Sequence, residues 1–261
     1  MIYYEKSGKG FPVILIHGFP NDHTTWDNII PELQKKYKLL LPDLPGFGKS
    51  DLITTHLGME DMACMIKDIL DQEQIKRAIF VGHSMGGYVA MNFAKLFPEM
   101  IAGMSLVHSS ASSDNEEKRK NREKAIVLMQ KGDLEKKAFL RGMAQNLFSA
   151  DFKKSHPEIV QSIIDNGTKV SASALSTAYN AIKNRQDKTD VLQIAGFPLQ
   201  WIIGNEDTAT SMTEMLQQAH IAKVNDVVIY ESCGHMSMLE NPEKLIADLI
   251  RFFDFVVPAF H

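Results

Sequence analysis

The stretch AIFVGHSMGGYVAMNFAKLFPE, from Ala78 to Glu99, runs an apolar strand pattern into a serine flanked by glycines and begins a helical pattern at once. Few folds accommodate such a junction. Gly82 and Gly86 flank Ser84 at the spacing of a sharp strand-to-helix turn, whose central residue is held at an unfavourable backbone geometry. Glycine at both flanks removes the Cβ atoms that would clash where the chain passes close to itself. The turn leaves the serine oxygen exposed at the C-terminal end of a strand, beside the free amides of a new helix. Those amides favour negative charge developing on a bound carbonyl. The pentapeptide alone occurs by chance; its strand–turn–helix setting makes it informative.

A strand that feeds a helix implies a parallel partner, and the rest of the chain agrees. Short apolar runs recur: IYYEK, PVILIHG, YKLLLPD, RAIFVGHS, AGMSLVHSS, PLQWIIGNED and NDVVIYESCG. Several are apolar throughout rather than alternating, as expected of strands covered on both faces. Helical periodicity between them predicts helices over Thr24–Lys36, Gly58–Gln72, Met85–Leu96 and Pro242–Val256. The expected fold is α/β, a mostly parallel central sheet with helices on both faces. The first run can pair antiparallel at an edge, joined through the Gly8–Gly10 turn.

One region breaks this rhythm. From Ser112 to Lys188 there is no convincing strand, only helical stretches such as NREKAIVLMQ, EKKAFLRGMAQNLF, PEIVQSIIDNG and SASALSTAYNAIKNR. A single crossover needs far fewer residues. The expected organisation is a core of residues 1–111 and 189–261 and a helical cap over 112–188. A chain of 261 residues is long enough for one such core with an insert.

The formal charge of −4 gives no reason to expect nucleic acid as a partner. The run EEKRKNREK mixes both signs and reads as a solvated helix face. Two cysteines, Cys64 and Cys233, make no disulfide framework, and the N-terminal stretch lacks a basic start followed by an apolar leader. No apolar run reaches the roughly eighteen residues of a spanning helix. A cytoplasmic address, a small-molecule substrate, no membrane, and a monomer or small homo-oligomer are the expectations.

A serine hydroxyl is a weak nucleophile unless an oriented base takes its proton. Of nine histidines, His235 in YESCGHMSMLENPE follows the last strand and precedes the final helix, matching the chain order serine, acid, histidine. His83 is adjacent to Ser84, but neighbouring side chains on the turn diverge, so packing or a local hydrogen bond is expected of it. The acid should come from a strand end between serine and histidine. LQWIIGNEDTAT supplies Glu206 and Asp207; Asp207 is preferred, three residues after a turn permitted by Gly204, with Glu206 as the alternative. Asp190 and Asp226 lie at the wrong ends of their elements. The amide of Met85 is one expected oxyanion donor, and that of Phe19, in the loop after VILIHGFP, is the other. His17 is expected to hold that loop through hydrogen bonds.

Other patterns carry less. LPDLPGFGKSD has the lysine and serine of a phosphate loop but lacks its spacing, so a tight loop at the site rim is expected. The histidines in GHS, VHS and CGHMS form no metal-ligand pattern, and neither metal nor cofactor is called for. Cys233 is expected to fill space behind the histidine loop.

Taken together, HGFP with the later Trp26, DLPGFGKS, GHSMGG, GNED and CGHMSMLENPE resemble the α/β-hydrolase superfamily, in its cap-bearing, esterase-like branch, over almost the whole chain. The resemblance implies Ser84, Asp207 and His235 as triad, with Phe19 and Met85 as oxyanion amides. It also implies an eight-stranded sheet with the first edge strand missing or merged here, and a cap entering after the sixth strand. Relatives with an aspartate nucleophile are set aside by Ser84. The expected function is hydrolysis of a small, neutral carboxylic ester through an acyl-enzyme. Carbon–carbon bond hydrolysis of a keto-acid is the alternative, with a non-catalytic ligand-binding member as a third reading. Phe139, Met143, Leu147, Phe148 and Tyr179 of the cap, with Phe19 and Met236, are the expected apolar wall. Arg122, Arg141 and Lys183 are the basic residues a keto-acid would require one of.

Overall fold

The structure, a computed structural model, describes residues 1–260. Seven strands form one sheet: β1 (Tyr4–Ser7), β2 (Phe11–Ile16), β3 (Tyr37–Pro42), β4 (Ala78–His83), β5 (Ile101–Val107), β6 (Leu199–Gly204) and β7 (Asn225–Tyr230). Their order is β1-β3-β2-β4-β5-β6-β7. Only β1 runs antiparallel, pairing Tyr4 with Pro42 on β3, and all other pairs are parallel. The Gly8–Gly10 turn carries the chain from β1 past its own partner into β2. Gly8 and Gly10 have φ of 71° and 114°, and a Cβ on either would lie within 2.3 Å of a backbone oxygen.

The apolar strands divide between two cores as a pleated sheet requires. Ile14, Ile16, Ala78 and Phe80 face one core; Val13, Leu15, Ile79 and Val81 face the other. The helices are α1 (Ile30–Leu33), α2 (Met59–Gln72), α3 (Met85–Leu96), α4 (Glu116–Lys131), α5 (Asp133–Gln145), α6 (Ala150–Ser155), α7 (Pro157–Lys169), α8 (Ala172–Asn184), α9 (Thr189–Ile194), α10 (Met212–Leu216), α11 (Ser237–Glu240) and α12 (Pro242–Val256). Residues of α2 and α3 pack in the first core, while Leu33 and the apolar face of α12 pack in the second. Helices therefore cover both faces.

The predicted helix over Thr24–Lys36 is corrected. The chain forms a 3-10 turn over His23–Trp26 and then the single turn of α1. Pro31 explains the break: it offers no N–H and its ring would strike the carbonyl of Asp27 four residues back. Instead it occupies the first turn of α1, where an amide partner is not needed.

Six helices, α4 to α9, lie between β5 and β6 with no strand among them. Asn115 caps α4 through Lys118 N at 2.8 Å, and Gly132 ends it. At the base of this insertion Asp114 is buried and paired with Arg122 on α4 and with Arg185, whose Nη1 lies 2.8 Å away just after α8. Burial alone would push the Asp114 carboxyl up, but the two guanidiniums hold it below its ordinary value. No helix among the described residues is long and apolar enough to cross a membrane.

Candidate active site

Parallel strands bring their C-terminal ends to one edge of the sheet, and the loops leaving that edge carry the chemistry. Ser84 sits between β4 and α3 at φ 49° and ψ −114°, a left-handed φ that costs an L-residue energy. The surroundings enforce it. A Cβ on Gly82 would lie 2.6 Å from the Gly86 carbonyl oxygen, and one on Gly86 would lie 2.2 Å from that of Ile16. The Ser84 amide donates to Val107 O at 3.0 Å, and its carbonyl accepts from Ser109 Oγ at 2.8 Å and Gly87 N at 2.9 Å. The side chain is left part-exposed while everything around it is buried.

Of the two carboxylates in GNED, only Asp207 meets the histidine. Its Oδ2 lies 2.8 Å from His235 Nδ1, and its Oδ1 accepts from the amides of Ala209 and Thr210 at 2.8 and 2.9 Å. Burial would raise this carboxyl's pKa; His235 and His108 beside it hold it well below the ordinary carboxylate range. Glu206 turns away and accepts from the amide of Ala150 at the start of α6, at 3.0 Å.

The histidine loop is fixed from several sides. The His235 amide donates to Leu147 O at 2.7 Å. The Glu240 carboxylate accepts from Gly234 N at 3.0 Å, Met236 N at 3.2 Å and, across to the helical insertion, Ser149 N at 2.9 Å. Thr208 Oγ1 donates to Asn146 O at 3.0 Å. The segment from Asn146 to Ala150 is thus bonded to both loops that carry Asp207 and His235. Sequence reasoning missed Glu240; its only local signal was a carboxylate four to six residues from the loop amides it accepts from.

His83 packs rather than competing as a base. Its Nε2 donates to the carbonyl oxygen of His235 at 2.9 Å, and the two rings lie 4.9 Å apart, which sets the serine turn against the histidine loop. Full burial drives its pKa well below the ordinary histidine value, with neighbouring His235 adding to the effect. His17 holds the loop before Phe19: Leu44 N donates to its Nε2 at 2.9 Å, and its Nδ1 donates to Gly18 O at 3.0 Å. Gly18 passes so close to His83 that a Cβ there would lie 2.6 Å from the ring nitrogen. Phe19, the next residue, therefore emerges directly beside the serine turn. Among the described residues neither the Phe19 amide nor the Met85 amide donates to an acceptor in the chain. For Met85 this follows from its place as the first residue of α3.

A further residue enters that sequence reasoning did not single out as functional. His108, just past β5, is fully buried at φ 50°, with Nδ1 3.2 Å from Asp207 Oδ2. Cys233 is buried in the core behind the loop, and burial pushes its thiol pKa far up, which suits packing rather than nucleophilic work.

Two clusters place possible metal-ligating atoms together: His108, Asp207 and His235, and Asp22, His23 and Asp43. In the first, His235 and Asp207 already bond each other. In the second, Asp43 accepts from His23 N, His23 Nδ1 and Lys49 N at 2.9, 2.7 and 2.8 Å. In each cluster the carboxylate that would anchor a cation is already bonded to its histidine neighbour. The GFGKS loop wraps this same aspartate: a Cβ on Gly48 would lie 2.2 Å from Asp43 Oδ2, and Ser50 Oγ donates to Asp43 O at 2.7 Å.

Above Phe19 stand aromatic residues of the insertion. The Tyr179 ring lies 4.5 Å from that of Phe19, and Phe139 meets Tyr179 edge-on at 5.4 Å. Leu147, Phe148 and Met236 are instead buried in the second core, with Met143 half-buried beside them. Of the three basic residues considered, Arg141 is exposed and Lys183 lies 3.3 Å from Glu123. Arg122 lies over the Tyr179 ring, 5.2 Å from its centroid, and is paired with Asp114.

The family model of the alpha/beta hydrolase fold matches residues 12–242. A thermophilic esterase from Thermogutta terrifontis, solved with malate bound, superposes with a TM-score of 0.92 at 28% identity, covering 98% of this chain and 93% of that one. The pimeloyl-[acyl-carrier protein] methyl ester esterase of Wigglesworthia glossinidia brevipalpis is 27% identical over 92% of both chains. A 2-hydroxy-6-oxo-6-phenylhexa-2,4-dienoate hydrolase of Comamonas testosteroni is 37% identical over 113 residues, 41% of this chain and 39% of that protein.

Proposed function

The chain belongs to the alpha/beta hydrolase fold family, and on that premise we propose that it is a serine hydrolase cleaving a small, neutral carboxylic ester through an acyl-enzyme. The observation that carries this reading is Ser84 at φ 49° on its glycine-flanked turn, set against a histidine loop whose His235 is oriented by Asp207 at 2.8 Å. His235 takes the Ser84 proton as Ser84 Oγ attacks the ester carbonyl. The Met85 and Phe19 amides receive the oxyanion, and Asp207 stabilises the imidazolium. His235 then protonates the leaving alcohol, and a water activated by His235 releases the acid from Ser84.

The same proposal divides the chain into a core of residues 1–111 and 189–261 and a helical cap over 112–188. In the family's eight-strand count, with the first edge strand missing here, the cap follows the sixth strand. The aromatic wall of Phe19, Tyr179 and Phe139 supports a small uncharged acyl or alcohol group. The esterase likeness over nearly the whole chain supports ester rather than carbon–carbon cleavage. A cytoplasmic address belongs to the proposal on the composition alone.

Incubation with a fluorophosphonate probe should label Ser84 and abolish p-nitrophenyl acetate turnover. A chain-length series of p-nitrophenyl esters should show highest kcat/KM for short acyl groups. Efficient cleavage of a vinylogous keto-acid with negligible ester turnover would overturn the assignment.

A further inference from the structure

The least explained polar group in the molecule is the His108 imidazole. It is fully buried, and among the described residues neither ring nitrogen completes a hydrogen bond. A phenylalanine or leucine would fill this space without burying two unpartnered polar atoms, so packing alone does not account for it. The backbone adds a second oddity. His108 holds a φ of 50°, unusual for a residue with a side chain, while its amide is tied to Ile202 O at 2.9 Å. That conformation aims the ring along the sheet edge towards the loop after β6.

Nδ1 of the ring lies 3.2 Å from Asp207 Oδ2, within reach of a hydrogen bond but out of line for a good one. The same oxygen receives His235 Nδ1 at 2.8 Å, and the other carboxylate oxygen is filled by two amides. His108 is therefore the remaining polar neighbour on the side of the carboxylate that His235 uses. The titratable groups facing this cluster are Asp207 and Glu206 after β6, His235, Cys233 and Glu240 after β7, and His83 at the end of β4. The rings of His83 and His235 lie 6.2 and 5.6 Å from that of His108.

We propose that His108 is a positioning residue, a neutral imidazole that presents its Nδ1–H to Asp207 Oδ2 and thereby moderates how strongly Asp207 holds the charged form of His235. The inference rests on the serine-hydrolase reading above. A donor shared with the carboxylate disperses its negative charge, so Asp207 stabilises the imidazolium of His235 less and the acid limb of the rate profile lies at lower pH. Burial supports the neutral form: it lowers the pKa of His108 despite the opposing pull of Asp207.

The test compares His108→Phe, which fills the space without a donor, with His108→Asn, which keeps one. In pH profiles of kcat/KM on p-nitrophenyl acetate, the acid limb of H108F should move up by about half to one pH unit, and that of H108N should stay near wild type. Folded variants that both keep the wild-type limb would overturn the proposal. A second measurement needs no variant to be active. Imidazole nitrogen shifts of the wild-type protein, assigned with H108N, should show His108 protonated at Nδ1 and bare at Nε2. The opposite tautomer would also overturn it. Absence of wild-type ester turnover and Ser84 labelling would defeat the serine-hydrolase reading, whereas the tautomer still judges the His108–Asp207 contact.

Discussion

Gly204 and Gly234 meet backbone to backbone: a Cβ on Gly204 would lie 2.2 Å from the Gly234 carbonyl oxygen and 2.5 Å from that of Cys233. One glycine ends the strand that leads to Asp207, and the other immediately precedes His235. The Glu206 amide donates to Cys233 O at 2.9 Å across the same seam. Asp207 and His235 are therefore brought together in part by direct backbone contact between their own loops. Gly204→Ala should force these loops apart, lowering kcat by at least about tenfold and stability by about 1–3 kcal/mol. Steady-state kinetics beside urea unfolding would measure both, and a variant with wild-type kcat would show that the seam is unimportant for the pair.

The division of labour between the two neighbouring carboxylates gives a second expectation. Asp207→Asn should reduce kcat by about 10⁴-fold, the size of the same change in a serine-protease triad. Glu206→Gln leaves His235 untouched and keeps an oxygen for the Ala150 amide, but removes the negative charge that strengthens that bond. Its effect should be small in rate and read mainly as faster proteolysis of the segment near Ala150. The reverse ranking would transfer the acid role to Glu206.

Asp114 fastens the helical insertion through two arginines. Asp114→Ala would leave both guanidiniums without their buried counter-charge, and a loss of about 3–5 kcal/mol is expected. Hydrogen exchange should show the loss in α4 and α8 before β4 and β5. Uniform exchange across the chain would argue that the insertion does not open on its own.

Acid sensitivity follows from three buried histidines. Burial lowers the pKa of His17, His83 and His108, so the folded chain keeps them neutral where the unfolded chain takes up protons. Below about pH 6.5 the unfolded state binds more protons, and stability should fall by up to about 1.4 kcal/mol per pH unit for each histidine. Asp207, whose pKa is depressed, stabilises the fold above about pH 4, and that contribution is lost only as the pH falls further. Urea midpoints measured from neutral pH downward should therefore drop well before carboxylates titrate. A midpoint unchanged between roughly pH 7 and pH 5 would contradict the buried neutral state of these rings.

Much of this molecule is written locally. The apolar runs mark the inner strands because a strand covered on both faces is mostly apolar, whereas the edge strands β1 and β7 leave Glu5, Lys6, Val227 and Ile229 exposed. The glycines at 82 and 86 announce the turn at Ser84 because the clash they avoid lies within a few residues and with the neighbouring strand. The break at Pro31 was equally local, and periodicity alone overrode it in the expected Thr24–Lys36 helix. That Ser84, Asp207 and His235 gather at one edge could be anticipated because parallel strands deliver their C-terminal ends there. Other features were decided only in three dimensions. Glu206 and Asp207 are adjacent and alike in charge, and only the seam between Gly204 and Gly234 selects Asp207 to face His235. The contact of Glu240 with the Ser149 amide and that of His108 with Asp207 join residues far apart in the chain, so no spacing announces them. The segment Asn146–Ala150 looks like an ordinary helix connection until Glu240, Glu206 and Thr208 are seen to bond it. Short-range sterics and periodic burial can be read along the chain; the partner of a hydrogen bond between two loops exists only once the sheet has brought those loops together.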